Sequence, residues 1–231
     1  MYTDFIQQLG NMLHQVEQSD LLTHPWPHMY VKEVIRSNDY RKFSNFQGQS
    51  NLKYWNNVDG GRQEWALTMI NLPNLSDQAL YKEGMDKLFL AIAKKFGVKN
   101  TTAPEPSVTF WEYNEHFLEN DIHRDEFQGC SFTISAMIYL PVDNSQKHYG
   151  TNLYTYIGND IGHHAIKSDL ITSPCIAHKD LEHNWKYELT VPFLPNTMFI
   201  TTNHDQSWHQ APTNIKGDKR MSCMIRWKCE S

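Results

Sequence analysis

Two histidines and one aspartate in this chain have the types and spacing of a metal site. His123 and Asp125 are separated by one residue, and in an extended segment residues two apart point to the same side of the chain. A third ligand must come from elsewhere, and the best candidate is His209, eleven residues before Arg220. Two imidazoles and one carboxylate leave one face of an ion open, an arrangement suited to Fe(II). The spacing therefore predicts a reactive metal centre.

Other residues compete for these roles. A second His-x-Asp pair, His178 and Asp180, lies too close to the third-ligand segment for the required strands to intervene, and we interpret it as part of a loop. His204 stands among residues that are typical of turns. Arg226 shares the strand parity of Arg220 but lies near the chain end, and we expect it to be structural or solvent-exposed.

An isolated His-x-Asp pair is a weak signal, because such short motifs recur by chance. Here the pair stands within an ordered series of features. The series contains Tyr113 ten residues before His123, the pair Tyr139-Leu140, the turn and apolar residue in Gly150 to Leu153, the turn and strand in Pro195 to Ile200, and Arg220 followed two residues later by Ser222. In this order the features resemble the Fe(II)/2-oxoglutarate-dependent dioxygenases, most closely the prolyl-hydroxylase-like branch, over about residues 108–227.

The resemblance implies a role for each of these side chains. It implies three Fe(II) ligands: His123, Asp125 and His209. Arg220 would hold the far carboxylate of 2-oxoglutarate, because a guanidinium donates paired charge-assisted hydrogen bonds and stays protonated. The resemblance places further contacts to this cosubstrate at Tyr139, Ser222, Tyr113 and Leu153. The implied reaction consumes O₂ and converts 2-oxoglutarate to succinate and CO₂ while a second substrate is oxidised.

Size and composition restrict the class of protein. A chain of 231 residues and 27.1 kDa can bury a core and fits one β-rich domain. We expect a single dioxygenase domain over 1–231, with support and a lid in 1–105 and the metal-binding core in 106–231.

The net charge of −5 disfavours a nucleic-acid surface. The cysteines lack CxxC spacing, and neither a signal peptide nor a long apolar run is found, which predicts a reducing, cytoplasmic location away from membranes.

The N-terminal half contains the predicted helices. Apolar residues at helical spacing predict a helix over 4–18 that packs on the outside of the core. An edge strand is expected over 28–35, a long aromatic-containing substrate lid over 37–62, and a strand over 64–71. A second helix is predicted from a cap at Ser76-Asp77 to about Phe96, with Gly97 as its stop.

The C-terminal half reads as short strands separated by turns, which predicts a mainly β (α+β) protein with a double-stranded β-helix (jelly-roll) core. In the stretch 132–140 one alternating face is apolar and is expected to face the core. The opposite face is amphipathic and suits the wall of a pocket; it consists of Thr133, Ser135, Met137 and Tyr139. The His-containing insertion over 159–186 is expected to form another lip of the site.

The combined interpretation is a hydroxylase that acts on an unactivated C–H bond of a small, amino-acid-like metabolite. Two alternatives stay open at this point. The substrate could instead be a protein or peptide side chain, as for the prolyl hydroxylases. The jelly roll could also be a cupin-like module that binds a metal or ligand without redox turnover. Desaturation or cyclisation, the identity of the substrate and the oligomeric state are not determined by these patterns.

Overall fold

A computed structural model describes residues 2–44, 53–58, 62–67, 74–99, 102–114, 121–125, 127, 129–159, 165–166, 175–177, 183–211 and 219–230. The first half contains α1 (Tyr2–Gln18), β1 (Met29–Lys32), α2 (Tyr40–Ser44), β2 (Lys53–Val58), β3 (Arg62–Leu67) and α3 (Leu75–Lys95). The second half contains β4 (Ser107–Tyr113), β5 (His123–Arg124), β6 (Cys130–Tyr139), a 3₁₀ helix (Asn144–Tyr149), β7 (Thr151–Tyr156), β8 (Ala165–Ile166), β9 (Cys175–Ala177), β10 (Trp185–Val191), β11 (Thr197–Thr202), β12 (Trp208–Gln210) and β13 (Arg220–Glu230).

The described strands form two antiparallel sheets. The larger sheet has the order β1-β11-β6-β13-β4-β3-β2, and the smaller has the order β10-β7-β12-β5-β9-β8. From β4 to β7 and again from β10 to β13, successive strands alternate between the two sheets. This alternation is the wiring of a jelly roll, and it confirms the predicted fold class.

Each face of the larger sheet packs on a different layer. The outward face and the helices α1 and α3 share one apolar cluster, in which Phe5 and Phe89 pack with Ile138 and Ile225. The inward face contributes to a second cluster, which also contains Leu153 of the smaller sheet. The N-terminal helices therefore cover the outside of the barrel, as predicted, and do not fill its interior.

Strand β6 shows how this division arises from alternation. The predicted core residues Ile134, Ala136 and Ile138 are buried in the cluster under the helices. On the opposite face, Ser135 and Tyr139 are also buried but point into the barrel, where their side chains contact polar partners. The predicted alternation of this strand is therefore found, and its role as the wall of a pocket stays a prediction.

Helix α3 differs from its prediction at the N-terminal end. The cap is Asn74, whose side-chain oxygen accepts a hydrogen bond from the backbone N–H of Asp77 at 2.8 Å, so the cap predicted at Ser76-Asp77 is wrong. With this start, Tyr81 lies on the buried face and Leu80 is 52% exposed. At the other end Gly97 has a φ of +71°, which favours glycine and explains the stop.

The segment 37–62 is not one long loop. It contains α2, and β2 pairs with β3 at the edge of the larger sheet. Phe43 is buried in the cluster under the helices, and the hydroxyl of Tyr40 donates to the carbonyl of Pro141 at 2.6 Å. Residues 45–52 and the side chains of Tyr54 and Trp55, on which the lid prediction depends, lie outside the described residues.

The insertion over 159–186 extends the smaller sheet. Its strands β8 and β9 pair with each other, and β9 pairs with β5, the strand that carries His123. This places part of the insertion beside the candidate metal site. The second His-x-Asp pair at 178–180 lies outside the described residues. Among the described helices, none has the length and apolar character needed to cross a bilayer.

Candidate active site

The three predicted metal ligands converge at the junction of β5 and β12. His123 and His209 are directly opposed partners in the antiparallel pairing of these two strands, and their ring centroids are 4.4 Å apart. Asp125 follows the end of β5, and its carboxylate oxygen Oδ2 lies 4.0 Å from Nε2 of His209. One possible ligand atom from each residue falls within 4.8 Å of the other two. The structure thus brings together two histidines, His123 and His209, that are 86 residues apart in the sequence.

Backbone carbonyls orient both imidazoles. Nδ1 of His123 lies 2.7 Å from the carbonyl oxygen of Asp121, and Nδ1 of His209 lies 2.8 Å from that of Ser207. A carbonyl oxygen can only accept, so Nδ1 must carry the proton in each ring. The neutral ring then has its lone pair on Nε2, which is the atom that faces the other ligands. A hydrogen bond of this kind fixes the tautomer and orientation of metal-binding histidines.

The electrostatics of the cluster favour a cation. Burial lowers the pKa of His123 to about 4, so that its imidazole is neutral at pH 7. Burial alone would raise the pKa of Asp125, but the positive charge of Arg226, with smaller contributions from the two histidines, holds this pKa well below its usual range. Oδ2 of Asp125 is buried and has no hydrogen-bond donor among the described residues. Converging lone pairs without a donor repel one another unless a metal ion lies between them, and these residues fit one.

The depressed pKa of His123 predicts a pH dependence of stability for the metal-free protein. Below the ordinary histidine pKa of about 6.5 the unfolded chain takes up a proton, whereas folded His123 does not until about pH 4. The unfolded state then binds more protons, so the free energy of unfolding falls as the pH drops from about 6.5 to about 4. Urea denaturation at several pH values should show that the free energy of unfolding falls less between about pH 6.5 and about pH 4 in His123→Gln than in the wild type. If the free energy of unfolding changed equally with pH in the two proteins, the lowered pKa of His123 would be contradicted.

Arg220 is the second notable feature of the interior. It is fully buried at the start of β13, where its Nε donates to the carbonyl of Tyr149 at 2.8 Å. The centre of its guanidinium lies 5.3, 5.6 and 5.1 Å from the rings of Tyr113, Tyr139 and Phe193, respectively. Three aromatic rings therefore surround this cation and exclude water from it.

Among the described residues, no carboxylate compensates this charge. Within the described parts of the chain Arg220 forms no salt bridge, and its Nη1 has no hydrogen-bond partner. A buried ion costs several kcal/mol unless an opposite charge accompanies it. The neighbouring hydroxyl of Ser222 is also buried, and no described residue forms a hydrogen bond with it. A cation and a hydroxyl left unsatisfied side by side indicate a binding site for an anion such as a carboxylate.

The remaining predicted cosubstrate contacts lie in the same place. Ser222 and Tyr139 are paired across β13 and β6, and the hydroxyl of Tyr139 lies 2.6 Å from that of Thr151. Burial raises the pKa of Tyr139 to about 12, which keeps the phenol protonated and able to donate. Leu153 is fully buried and is the β7 partner of His209. The structure places all five predicted contact residues in the same part of the barrel interior.

One aromatic wall joins the two features. The rings of Trp26 and Phe199 each lie 6.4 Å from the ring of His209. Both belong to the buried cluster that also contains the three rings around Arg220. The group of His123, Asp125 and His209 and the buried cation therefore border the same aromatic cluster.

Some site residues were missed by the sequence analysis. Arg226 is not solvent-exposed, because its side chain is only 18% accessible and its Nη2 lies 3.2 Å from Oδ1 of Asp125. Ser135 and Thr151 bind the side chains of Arg226 and Tyr139; the sequence placed Ser135 on the pocket-facing side of its strand and Thr151 in a turn feature, but it gave neither of them a partner. The parity that Arg226 shares with Arg220 was the only available signal. His204 is exposed and its ring accepts from the backbone N–H of Gln206, as a turn residue does.

Sequence comparisons find no relative: no protein-family model matches the chain, and no curated protein matches it. Solved structures do match. SnoK, a non-haem α-ketoglutarate-dependent carbocyclase from nogalamycin biosynthesis, is 14% identical with a TM-score of 0.55 over 94% of this chain and 83% of its own. The chain shares the jelly-roll fold of non-haem 2-oxoglutarate-dependent oxygenases.

Further structures with this jelly-roll fold differ in what they bind. HygX from Streptomyces hygroscopicus, with nickel, 2-oxoglutarate and hygromycin B bound, is 9% identical with a TM-score of 0.51 over 87% of this chain and 82% of its own. A prolyl hydroxylase from Trichoplax adhaerens, in complex with a peptide fragment of hypoxia inducible factor, is 11% identical with a TM-score of 0.53 over 97% of this chain and 90% of its own. At such identities the likeness is one of fold.

Proposed function

We propose that this protein is an Fe(II)- and 2-oxoglutarate-dependent oxygenase. The observation that carries the proposal is the buried Arg220 guanidinium, which has no carboxylate partner among the described residues. The aromatic cluster around it also borders His209 of the group His123, Asp125 and His209. A metal cluster alone would fit many proteins. An anion pocket beside it fits a cosubstrate that binds the metal at one end and carries a carboxylate at the other.

Each residue then has a defined task. His123, Asp125 and His209 hold Fe(II), and Arg220 binds the distal carboxylate through Nη1, which has no hydrogen-bond partner among the described residues. Ser222, Tyr139 and Tyr113 surround that carboxylate, while Leu153 packs on the methylenes of the cosubstrate. When bound, Fe(II) and 2-oxoglutarate supply oxidative decarboxylation coupled to oxidation of a C–H bond by O₂. The buried aromatic wall keeps bulk water away from the reacting atoms.

The proposed reaction is hydroxylation of a small, amino-acid-like metabolite. The alternative substrate is a peptide side chain. Proteins of the same fold support both classes, since HygX holds an antibiotic and the Trichoplax enzyme holds a peptide. A screen of metabolites and peptides for substrate-dependent succinate release separates these classes. Mass spectrometry of the product then separates hydroxylation, a gain of one oxygen atom, from desaturation or ring formation, a loss of two hydrogen atoms.

The direct test of the cofactor assignment is anaerobic addition of Fe(II) and then 2-oxoglutarate to the purified protein. A metal-to-ligand charge-transfer band should appear only when both are present, because it requires the keto acid to bind the metal. Asp125→Ala should lose the band. If the wild-type protein binds Fe(II) but gives no band and no succinate with any substrate, the oxygenase assignment is wrong and a non-redox metal-binding module replaces it.

Tyr139→Phe tests the neutral hydrogen-bond donor in the pocket. Removing the hydroxyl leaves the aromatic wall in place but deletes one donor near the carboxylate, so the Kd for 2-oxoglutarate should rise about tenfold. Titration by intrinsic fluorescence under anaerobic conditions measures this change. Tyr30→Phe is the control, since the hydroxyl of Tyr30 instead donates to the carbonyl of Pro192 at 3.0 Å. An unchanged Kd in Tyr139→Phe would remove this residue from the cosubstrate site.

A further inference from the structure

The two carboxylate oxygens of Asp125 have different surroundings. Oδ1 accepts a hydrogen bond from Nη2 of Arg226 at 3.2 Å. Oδ2 has no hydrogen-bond partner among the described residues and lies 4.0 Å from Nε2 of His209. The carboxylate is only 2% exposed, so water does not make the two oxygens equivalent. One oxygen is occupied by a protein cation, and the other faces the proposed metal position.

Arg226 is itself held in place. Its Nε donates to the hydroxyl of Ser135 at 3.1 Å, and its guanidinium centre lies 4.9 Å from the ring of Phe127. Ser135 and Arg226 are directly opposed residues of β6 and β13, two adjacent central strands of the larger sheet. The guanidinium is thus anchored to the most extensively paired part of the barrel, whereas Asp125 lies just beyond the end of a two-residue strand.

We infer that Arg226 is a positioning residue for the metal site: it occupies Oδ1 of Asp125 so that the carboxylate offers a single oxygen to the ion in a fixed orientation. The inference rests on the proposed role of Asp125 as a ligand. A carboxylate free to rotate can bind a metal through both oxygens and take up a second coordination position. Arg226 prevents this, and so keeps that position for the cosubstrate or O₂.

The geometry requires an arginine. Arg226 uses Nε for Ser135 and Nη2 for Asp125, two donors on separate nitrogens of one planar group. A lysine has a single ammonium and cannot reach both partners from a fixed plane. Arg226→Lys should therefore keep the charge but lose the orientation. Ser135→Ala should keep the charge of Arg226 and its contact to Asp125, while removing the anchor on Nε and the interaction of the Ser135 hydroxyl with Asp125.

The sign of the effect on metal affinity separates positioning from simple electrostatics. A positive charge near the site repels a divalent cation. If Arg226 acted only through this repulsion, removing its charge should strengthen metal binding. Loss of positioning should weaken it, by about tenfold to a hundredfold for a residue that orients a ligand. Lys228→Met is the matched control. Lys228 lies two residues along the same strand, with its ammonium 3.8 Å from the centre of the same Phe127 ring.

The experiment is an anaerobic titration of the full-length protein with Co(II), read from the visible ligand-field spectrum, for wild type and for Arg226→Met, Arg226→Lys, Ser135→Ala, Lys228→Met and Asp125→Ala. We expect Co(II) affinity to fall in both Arg226 variants and less in Ser135→Ala, with a changed band shape, and to be equal or higher in Lys228→Met. Circular dichroism checks that each variant is folded. If Arg226→Met does not fold, Arg226→Lys and Ser135→Ala decide the question.

The outcomes distinguish this inference from the proposed function. If Asp125→Ala loses Co(II) but the folded Arg226 and Ser135 variants bind it with wild-type affinity and spectrum, the positioning role is wrong and the metal site stands. If both Arg226→Met and Lys228→Met bound Co(II) more tightly than the wild type, the positioning role would also be wrong, and electrostatic repulsion of the metal would explain the effect of Arg226. If wild type and Asp125→Ala bind Co(II) alike, the metal site itself is wrong.

Discussion

Replacing His209 by alanine is expected to abolish Fe(II) binding and Fe(II)-dependent succinate production. The imidazole supplies one of the three ligand atoms that, among the described residues, lie within 4.8 Å of one another. Loss of a residue that merely orients a ligand already weakens metal binding about tenfold to a hundredfold, so loss of the ligand itself should cost more. His123→Ala and Asp125→Ala should have the same effect. Anaerobic Fe(II) titration and a coupled succinate assay measure the two losses.

His204→Ala is the control for this prediction. His204 lies five residues before His209 in the same segment, but its ring is bound to the backbone of a turn and lies outside the cluster. Its variant should bind Fe(II) as the wild type does. Retained succinate production in all three cluster variants would refute the ligand assignment, and a loss in His204→Ala with retention in His209→Ala would exchange the roles of the two histidines.

Replacing Arg220 by methionine should remove 2-oxoglutarate binding while leaving the ligand-free protein about as stable as the wild type. Truncating one partner of a buried charge pair costs about 2–5 kcal/mol of binding, or at least about thirtyfold in Kd. In the absence of ligand the same side chain is a buried cation without a carboxylate partner in the described chain. Replacing such a charge by an apolar group of similar volume is often neutral or stabilising, which offsets the lost bond to Tyr149.

Thermal unfolding with and without 2-oxoglutarate measures both parts of this prediction. The wild type should be stabilised by the cosubstrate through mass action, and Arg220→Met should not. Its Fe(II) affinity should stay near that of the wild type, because Arg220 contacts none of the three ligands. Arg41→Met, at an exposed position, controls for the loss of one positive charge. Cosubstrate-induced stabilisation that survives in Arg220→Met would show that another cation holds the carboxylate.

These two variants separate the two halves of the site. The His209 variant should lose the metal, whereas the Arg220 variant should keep the metal and lose the organic acid. A cupin-like module without redox turnover would show only the first effect, since it has no use for a buried cation beside its metal. The contrast between the variants therefore tests the oxygenase assignment without knowledge of the substrate.

The sequence alone determined those features that follow from backbone periodicity. Alternation in β6 predicted which side chains face the helices and which face the pocket, because successive residues of a strand point to opposite sides. The same rule placed His123 with Asp125 and Arg220 with Ser222. Helix α1 followed from apolar residues at helical spacing. All of these depend on neighbours within a few residues along the chain.

Only the tertiary structure decided which side chains become partners. In the sequence, Arg226 is distinguished only by its place near the chain end. In the structure it binds Asp125, 101 residues away, because the fold brings the end of β5 next to β13. Thr151 acquires its role from the hydroxyl of Tyr139, which belongs to the other sheet. That Arg220 has no carboxylate partner among the described residues likewise depends on all the elements packed around it. Such pairings depend on how distant strands are stacked, and local spacing carries no information about that.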